Sequence, residues 1–493
     1  MARALLGFAT LLALAVGCDD TTAVSPDAAA PDAPGLDAGV VAMTVALNRD
    51  PAPDPDDVLV DVTLTIDGVG RAGATVATSA TSATVGPPAD LGDGRYRIRV
   101  SPTIASGVVE LSVTALGQRV DRTALILPVV ASHWGQPELV PGLVNTPGYE
   151  DSAEVSPDGA WLLVSDTSPL DIICCALGCG SDGAAALDPA GAACNVSLGP
   201  LGPPARPRFP GAERFVSPTE VHDELPPLCV DLPPGQDFAI AFPPVAAYGF
   251  RRQPDGSFAE PFLIAFDAAG MPGLYGLTFA APPVGTAATV VFAHDTLDQS
   301  PTSPGVDLFR EPITLGADHL LGTYTCVGGV ATPDRYPARV PLTDPSSVQG
   351  NPTVLPDGII YDSENAAEDL FFVAGDPLGD TPLAAPVRVP LSSAERQETM
   401  PYFRDGRLYF SADNRALVSS TRAPGGDPGQ AATWGPERTE LALTAPGTTP
   451  GEVVAIGEPS IERRDGVTSL YFVFGLRTAT GTNLGVARVR QAP

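Results

Sequence analysis

An Asp-Gly turn leading straight into an apolar strand occurs four times in this chain, and that recurrence limits its fold more than any other feature. The copies are SPDGAWLLVSD (156–166), LPDGIIYDS (355–363), FRDGRLYFSAD (403–413) and RRDGVTSLYFVFG (463–475). After three of them comes a second apolar strand: Leu370-Phe371-Phe372-Val373, Ala416-Leu417-Val418 and Leu484-Gly485-Val486-Ala487. A fifth unit around Ala288–Arg310 keeps both strands without the Asp-Gly. A further element recurs as Trp134-Gly135-Gln136-Pro137-Glu138-Leu139, as Phe258–Leu263, and as Trp434-Gly435-Pro436-Glu437 leading to Leu441. A short unit of strands cannot bury its faces alone, so such copies must stack on one another.

Radial stacking of these units predicts a β-propeller over residues 131–493, with about six blades and five or seven left open. The phrase Ser156-Pro157-Asp158-Gly159 before an apolar strand resembles the blades of TolB-type propellers. That resemblance implies a fold and a structural turn for the repeated aspartates, and no activity. The last unit ends one strand short, and the Trp134 segment is an outer strand with no unit before it. Residues 134–140 are therefore expected to complete the C-terminal unit, which would remove an exposed sheet edge.

Residues 41–130 alternate with period two. Val60, Val62 and Leu64 share one face while Asp61, Thr63 and Thr65 share the other. Tyr96, Ile98 and Val100 alternate with three arginines, and Val109, Leu111 and Val113 with polar residues. One wet and one buried face predict a β-sandwich. Asp93-Gly94-Arg95-Tyr96-Arg97-Ile98 resembles bacterial immunoglobulin-like repeats, which implies a spacer or adhesive module. The whole chain thus reads as all-β.

Ahead of the sandwich, Arg3 precedes an apolar run from Leu5 to Val16, and Gly17-Cys18 follow. A basic start and a short apolar core describe a secretory signal over residues 1–17. Leu14-Ala15-Val16-Gly17-Cys18 resembles the lipobox of bacterial lipoproteins, with Ala15 where Leu is usual. The resemblance implies lipid, palmitate included, on Cys18, and a membrane partner in the cell envelope, facing periplasm or exterior. Residues 18–40 are small, acidic and Pro-rich and read as a tether.

Cysteine arithmetic agrees. Of seven cysteines, removing Cys18 leaves Cys174, Cys175, Cys179, Cys194, Cys229 and Cys326, an even set that can form disulfides in an exported protein. Most fall in a Gly- and Ala-rich segment, which reads as a disulfide-stapled insertion over 167–235. No C-x-x-C pair favours a metal knot there.

All 28 basic residues are arginine, so chemistry that needs lysine on phosphate, as a Schiff base or in S-x-x-K is excluded. A net charge of −30 repels nucleic acid. Asp54-Pro55-Asp56-Asp57 lacks the glycine of a calcium loop, and Gly180-Ser181-Asp182-Gly183 is not a nucleophile elbow. His222-Asp223-Glu224 and His294-Asp295 are sequence neighbours, which on a strand point to opposite faces.

Seven residues before their turn aspartates stand Asp151, Glu398 and Glu458, and Asn351 stands six before its own. In a propeller this places them near the start of the innermost strand, as a polar ring that would attract calcium or a basic partner segment. No other cofactor is expected. The functional expectation is a lipid-anchored binding or scaffold module with an envelope or extracellular protein or glycan as partner. The alternative is a carbohydrate hydrolase, which two carboxyl groups about 5 to 10 Å apart over a deep pocket would favour.

Overall fold

The alternation of the N-terminal strands is realised as two antiparallel sheets around one apolar core. The structure, a computed structural model, describes residues 40–49, 57–145, 149–167, 246–266, 275–295, 306–317, 319, 323–327, 330–335, 337–343, 349–363, 369–477 and 482–491. The N-terminal strands are β1 (Val41–Arg49), β2 (Val58–Ile66), β3 (Val69–Gly70), β4 (Val76–Ala80), β5 (Ala83–Val85), β6 (Ala89–Gly92), β7 (Arg95–Pro102), β8 (Gly107–Ala115) and β9 (Gln118–Ile126). The first sheet runs β1-β2-β7-β5, with β3 and β6 on its flanks; β4, β8 and β9 form the second. Val60, Val62, Leu64, Tyr96, Ile98 and Val100 pack from the first onto Val109, Leu111, Val113, Ala124 and Ile126 from the second. The expected sandwich core is thus in place.

Two short strands follow, β10 (Val129–Val130) and β11 (Glu138–Leu139). The next four are β12 (Tyr149–Val155), β13 (Trp161–Thr167), β14 (Ala246–Arg252) and β15 (Phe258–Phe266), which form one sheet in that order. Asp166 pairs with Ala246, so residues 168–245 leave and re-enter this sheet at adjacent positions. The cysteine-rich insertion and Cys174, Cys175, Cys179, Cys194 and Cys229 lie outside the described residues, as does Cys18 with its tether.

A second sheet joins β16 (Tyr275–Phe279), β17 (Ala287–Asp295) and β18 (Val306–Thr314) to β21 (Ala338–Arg339), with a separate hairpin of β19 (Thr323–Val327) and β20 (Val330–Arg335) between them. Cys326 is on β19, but its side chain is outside the described residues. The third sheet is β22 (Gln349–Leu355), β23 (Gly358–Ser363), β24 (Asp369–Ala374) and β25 (Val387–Arg388). The fourth is β26 (Glu398–Arg404), β27 (Arg407–Ala412), β28 (Ala416–Thr421) and β29 (Arg438–Ala442), extended by β10. The fifth begins with β30 (Val453–Arg464), β31 (Val467–Arg477) and β32 (Thr482–Arg490). The described helix is confined to a 3-10 turn at Ala431–Thr433, so the described chain is nearly all-β.

Five repeated sheets therefore stand among the described residues, against an expected count of about six. One reason is that the first unit is spread over residues 149–266 by its insertion, so its halves read as separate segments in the sequence.

The first strands of these sheets meet in cyclic order: β12 touches β16, β16 touches β22, β22 touches β26, β26 touches β30, and β30 touches β12. Period-two alternation explains how. On β13, Trp161 and Leu163 pack toward the second sheet while Leu162 and Val164 pack toward the fifth. On β17, Val290 and Phe292 face the first sheet, Val291 and Ala293 the third. Leu408 and Phe410 of β27 face the third sheet and Tyr409 the fifth. Strands apolar on both faces are what such face-to-face stacking needs.

The Trp134 segment lies where the repeat predicts. Glu138 and Leu139 pair with Arg488 and Ala487 of β32; Gly135 N–H donates to Arg490 O at 2.8 Å and Val140 N–H to Val486 O at 3.0 Å. β11 then continues into the sandwich, because Ala124 of β9 pairs with Glu138 and Leu125 N–H donates to Pro137 O at 2.9 Å. The result is one seven-stranded sheet, β30-β31-β32-β11-β9-β8-β4, shared by the N-terminal sandwich and the fifth unit. Val108, Leu125 and Leu127 join the same core as Tyr402, Leu441 and Phe472.

Candidate functional site: the ring of first strands

Every first strand carries a bulge at the same structural position. The ladder skips between Asp151 and Glu154, Tyr275 and Thr278, Gly350 and Thr353, Thr399 and Tyr402, and Gly457 and Ser460. Inside each skip one residue is left-handed: Ser152 (φ 51°), Gly276 (φ 62°), Asn351 (φ 36°), Met400 (φ 56°) and Glu458 (φ 52°). Proline follows three of them, at Pro352, Pro401 and Pro459, where the interrupted ladder asks for no N–H. A Cβ on Gly276 would collide with the Asn351 backbone, so the second unit approaches the third closely there.

Two residues beyond the left-handed position, a side chain reaches the next unit. Glu154 Oε1 accepts from Thr278 Oγ1 at 2.9 Å and Phe279 N–H at 3.1 Å. Thr353 Oγ1 accepts Phe403 N–H at 2.9 Å, and Tyr402 OH donates to Ile461 O at 3.1 Å. Ser460 Oγ accepts Val155 N–H at 3.2 Å, which joins the fifth unit to the first. Left-handed residues bond across too: Ser152 Oγ accepts Gly276 N–H at 2.8 Å.

This geometry sorts the four residues of the expected polar ring. Asn351 and Glu458 occupy the left-handed position itself and Asp151 precedes Ser152 by one. Glu398 is two residues before Met400 and lies apart, its Oε1 2.7 Å from Arg396 Nε and its Oε2 accepting Ser393 N–H at 3.1 Å. Arg396 also makes a bidentate pair with Glu437. Counting back from the turn aspartates went out of step because the strands between bulge and turn differ in length. The bulge is the true register.

Asn351 Nδ2 donates to Asp362 Oδ2 at 2.8 Å, and Met400 N–H donates to the same oxygen at 2.8 Å. Asp151 and Glu458 stand on the adjoining strands β12 and β30 and act on each other electrostatically. Ser152 Oγ donates to Glu458 Oε1 at 3.4 Å, and the backbone N–H groups of Ser152 and Ala153 favour the charged form of Glu458. Burial raises both carboxyls, and the Asp151 charge raises Glu458 further, well above the ordinary range.

Glu154 is raised by burial to about 8, against the hydrogen bonds from Phe279 and Thr278 that favour its charged form. A raised acid contributes its full stability below its unfolded value of 4.5 and loses it as pH climbs toward about 8. Glu154→Gln keeps an acceptor for both bonds and has no charge to bury. It is expected to match the parent near about pH 4 and exceed it near about pH 9, by up to about 5 kcal/mol, in urea titrations at the two pH values.

The turn aspartates are structural. Asp158 Oδ1 accepts Ala160 N–H at 3.0 Å and Ser156 Oγ at 2.6 Å, closing the turn on itself. Asp357 pairs with Arg422, and Asp405 with Arg463 at 3.1 Å. The His222 group lies outside the described residues. His294 and Asp295 pair by backbone with Asp307 and Val306, their side chains lying outside the description. Among the described residues no group of three or more His, Cys, Asp or Glu side chains is arranged to hold a metal ion, and no helix is long and apolar enough to cross a membrane.

Sequence reasoning missed Ser152, Glu154, Gly276, Thr353, Met400, Tyr402 and Ser460. The available signal was Asn-Pro, Met-Pro and Glu-Pro before three of the turns. Comparison with known proteins adds little to this geometry. No family model matches the chain, and no curated protein does. Among solved structures, one match is to invasin, a bacterial integrin-binding protein, at 10% identity and a TM-score of 0.16, over 92% of this chain and 81% of that one.

Proposed function

We propose that this chain is a lipid-anchored, extracytoplasmic binding or scaffold protein of a bacterial envelope, built as a five-bladed β-propeller fused to an immunoglobulin-like sandwich. The observation that carries the reading is the seven-stranded sheet shared by sandwich and fifth unit. A tethered spacer would be joined by a linker; here β9, β11 and β32 hold the two modules in one fixed orientation, as a presenting scaffold requires. The cyclic contacts of β12, β16, β22, β26 and β30 support the propeller. Leu14–Cys18 supports the anchor, with the acidic tether of residues 18–40 spacing the folded part from the membrane.

The test is palmitate labelling in cells of the parent and Cys18→Ala, followed by protease treatment of intact cells. Label present in the parent and lost in the variant is the expected result, and cleavage from outside would place the scaffold on the surface. An unlabelled parent would overturn the anchor.

A further inference from the structure

Three tight turns close one end of the N-terminal sandwich, at Asp67-Gly68, Asp93-Gly94 and Leu116-Gly117, and both residues of each are left-handed. The turns stand together. Leu64 N–H donates to Gly94 O at 2.8 Å, Ala74 N–H donates to Tyr96 OH at 2.8 Å, and Val76 pairs with Ala115. The opposite end of the sandwich meets the fourth and fifth units. There Arg49 donates to Val130 O at 3.0 Å and Val453 N–H donates to Ser106 Oγ at 3.3 Å. A Cβ on Gly107 would collide with Gly451 O, so the two modules are in close contact at that end.

The turn end carries an apolar patch. Of the ten large apolar side chains exposed on the described chain, four lie there: Val40 at 75%, Val69 at 71%, Leu91 and Leu116. Single exposed aliphatics are ordinary, whereas four on one end of one module mark a contact surface. Leu116 adds an independent sign. The left-handed region suits Gly, Asn and Asp and strains a bulky side chain. Asp67 and Asp93 obey that rule, but the third turn holds an exposed leucine at φ 49°. Folding gains nothing from that choice.

The path of the chain points to what covers this end. Val40 N–H donates to Asp67 Oδ1 and Asp67 N–H to Val40 O, both at 2.9 Å, so residues 18–39 join the sandwich beside the first turn. Charge is balanced there: Asp67, Asp90 and Asp93 stand with Arg71, Arg95 and Arg119, although the chain as a whole carries −30. Apolar tips among balanced charges suit zwitterionic lipid, where aliphatic side chains enter the headgroup boundary by about 5 to 10 Å. We propose that this end is a lipid-contact face: Val40, Val69, Leu91 and Leu116 rest in the surface of the membrane that holds Cys18 and fix the orientation of the scaffold. The inference rests on the anchor reading, since the tether is what brings this end to the membrane.

Tryptophan quenching on the full chain tests it. The chain is extracted from membranes and reconstituted into phosphatidylcholine vesicles with and without bromine on the upper acyl carbons. Val69→Trp and Leu91→Trp should each lose fluorescence to the brominated lipid, and Val284→Trp, at an exposed turn of the second unit, should keep it. Leu116→Asn, added to Val69→Trp, should weaken that quenching and leave the urea midpoint equal to or above the parent's. A chain that does not sediment with the vesicles would overturn the anchor reading and this inference together. A chain that sediments, with Val69→Trp and Leu91→Trp quenched no more than Val284→Trp, would overturn this inference alone. So would tip fluorescence that shifts with protein concentration in the absence of lipid, which would assign the face to a second copy, or a marked fall in midpoint for Leu116→Asn, which would assign the leucine to the fold.

Discussion

Removal of residues 131–142 is expected to abolish cooperative folding of the whole C-terminal region, not merely to shorten the chain. The segment supplies β11, whose backbone satisfies the outer edge of β32 and, on its other side, β9. Its loss would strip Arg488, 3% exposed, of Glu138, which it contacts at 2.9 Å. Breaking a buried ion pair by deleting one partner costs about 3 to 5 kcal/mol. Trp134, 4% exposed, and Val140, 2% exposed, would leave cavities in two different cores. A lost tryptophan alone costs about 3 to 5 kcal/mol. Together these reach the full stability of a typical domain, about 5 to 15 kcal/mol. Circular dichroism with urea titration would decide it: a deletion variant with the parent's single transition and midpoint would refute the closing role of this segment.

Glu440→Ala is expected to be the most destabilising single substitution in the fourth unit, by about 3 to 5 kcal/mol in urea titration. Glu440 is fully buried, and its carboxylate is the hub that ties the linker to β28 and β29. Trp134 Nε1 donates to Oε2 at 2.8 Å and His133 Nε2 lies 2.9 Å from the same oxygen. Ser419 Oγ and Arg438 donate to Oε1. Burial pushes the carboxyl up, but the bonds from Ser419, Arg438 and Trp134 outweigh it and hold the group below its usual value. Its contribution is thus present above the unfolded value of 4.5 and lost as pH falls below it, opposite in sign to Glu154. Alanine would leave Arg438, His133 and the indole N–H without their acceptor. Trp134→Phe, which removes one donor, should cost about 1 kcal/mol for the hydrogen bond. A double-mutant cycle of the two should show coupling, and strict additivity would mean that the indole does not depend on the carboxylate.

The ring of first strands was half legible in the sequence. The Asp-Gly turns located every unit that carries one, because Gly159, Gly406 and Gly466 need positive φ and Gly358 has no room for a Cβ against Val373 O, so each turn leaves a signature in two adjacent residues. The bulge leaves a weaker one. Its left-handed residue is Ser, Gly, Asn, Met or Glu in the five strands, so no single residue type marks it. Distance from the turn misaligned Glu398, which joins Arg396 and Glu437 away from the bulge position. That β12 and β30, with Asp151 and Glu458 on them, lie side by side could not be read at all, since 307 positions of chain separate the two residues.

The same division runs through the whole molecule. Period-two alternation in residues such as Val60-Asp61-Val62-Thr63-Leu64 determined a two-faced strand, because side chains of successive strand residues point to opposite sides whatever surrounds them. The repeat determined that the later strands come in stacked copies, and the unmatched Trp134 segment determined which strand the last copy lacks. Which face meets which partner was decided by tertiary structure alone. Leu125-Ile126-Leu127 reads as a plain apolar run, yet Ile126 packs in the sandwich while Leu125 and Leu127 pack with the fourth and fifth units. A sheet buried on both faces has the same composition whether its second neighbour is a copy of itself or a different module. Local pattern encodes burial, and the identity of the neighbour follows only from how the chain closes on itself.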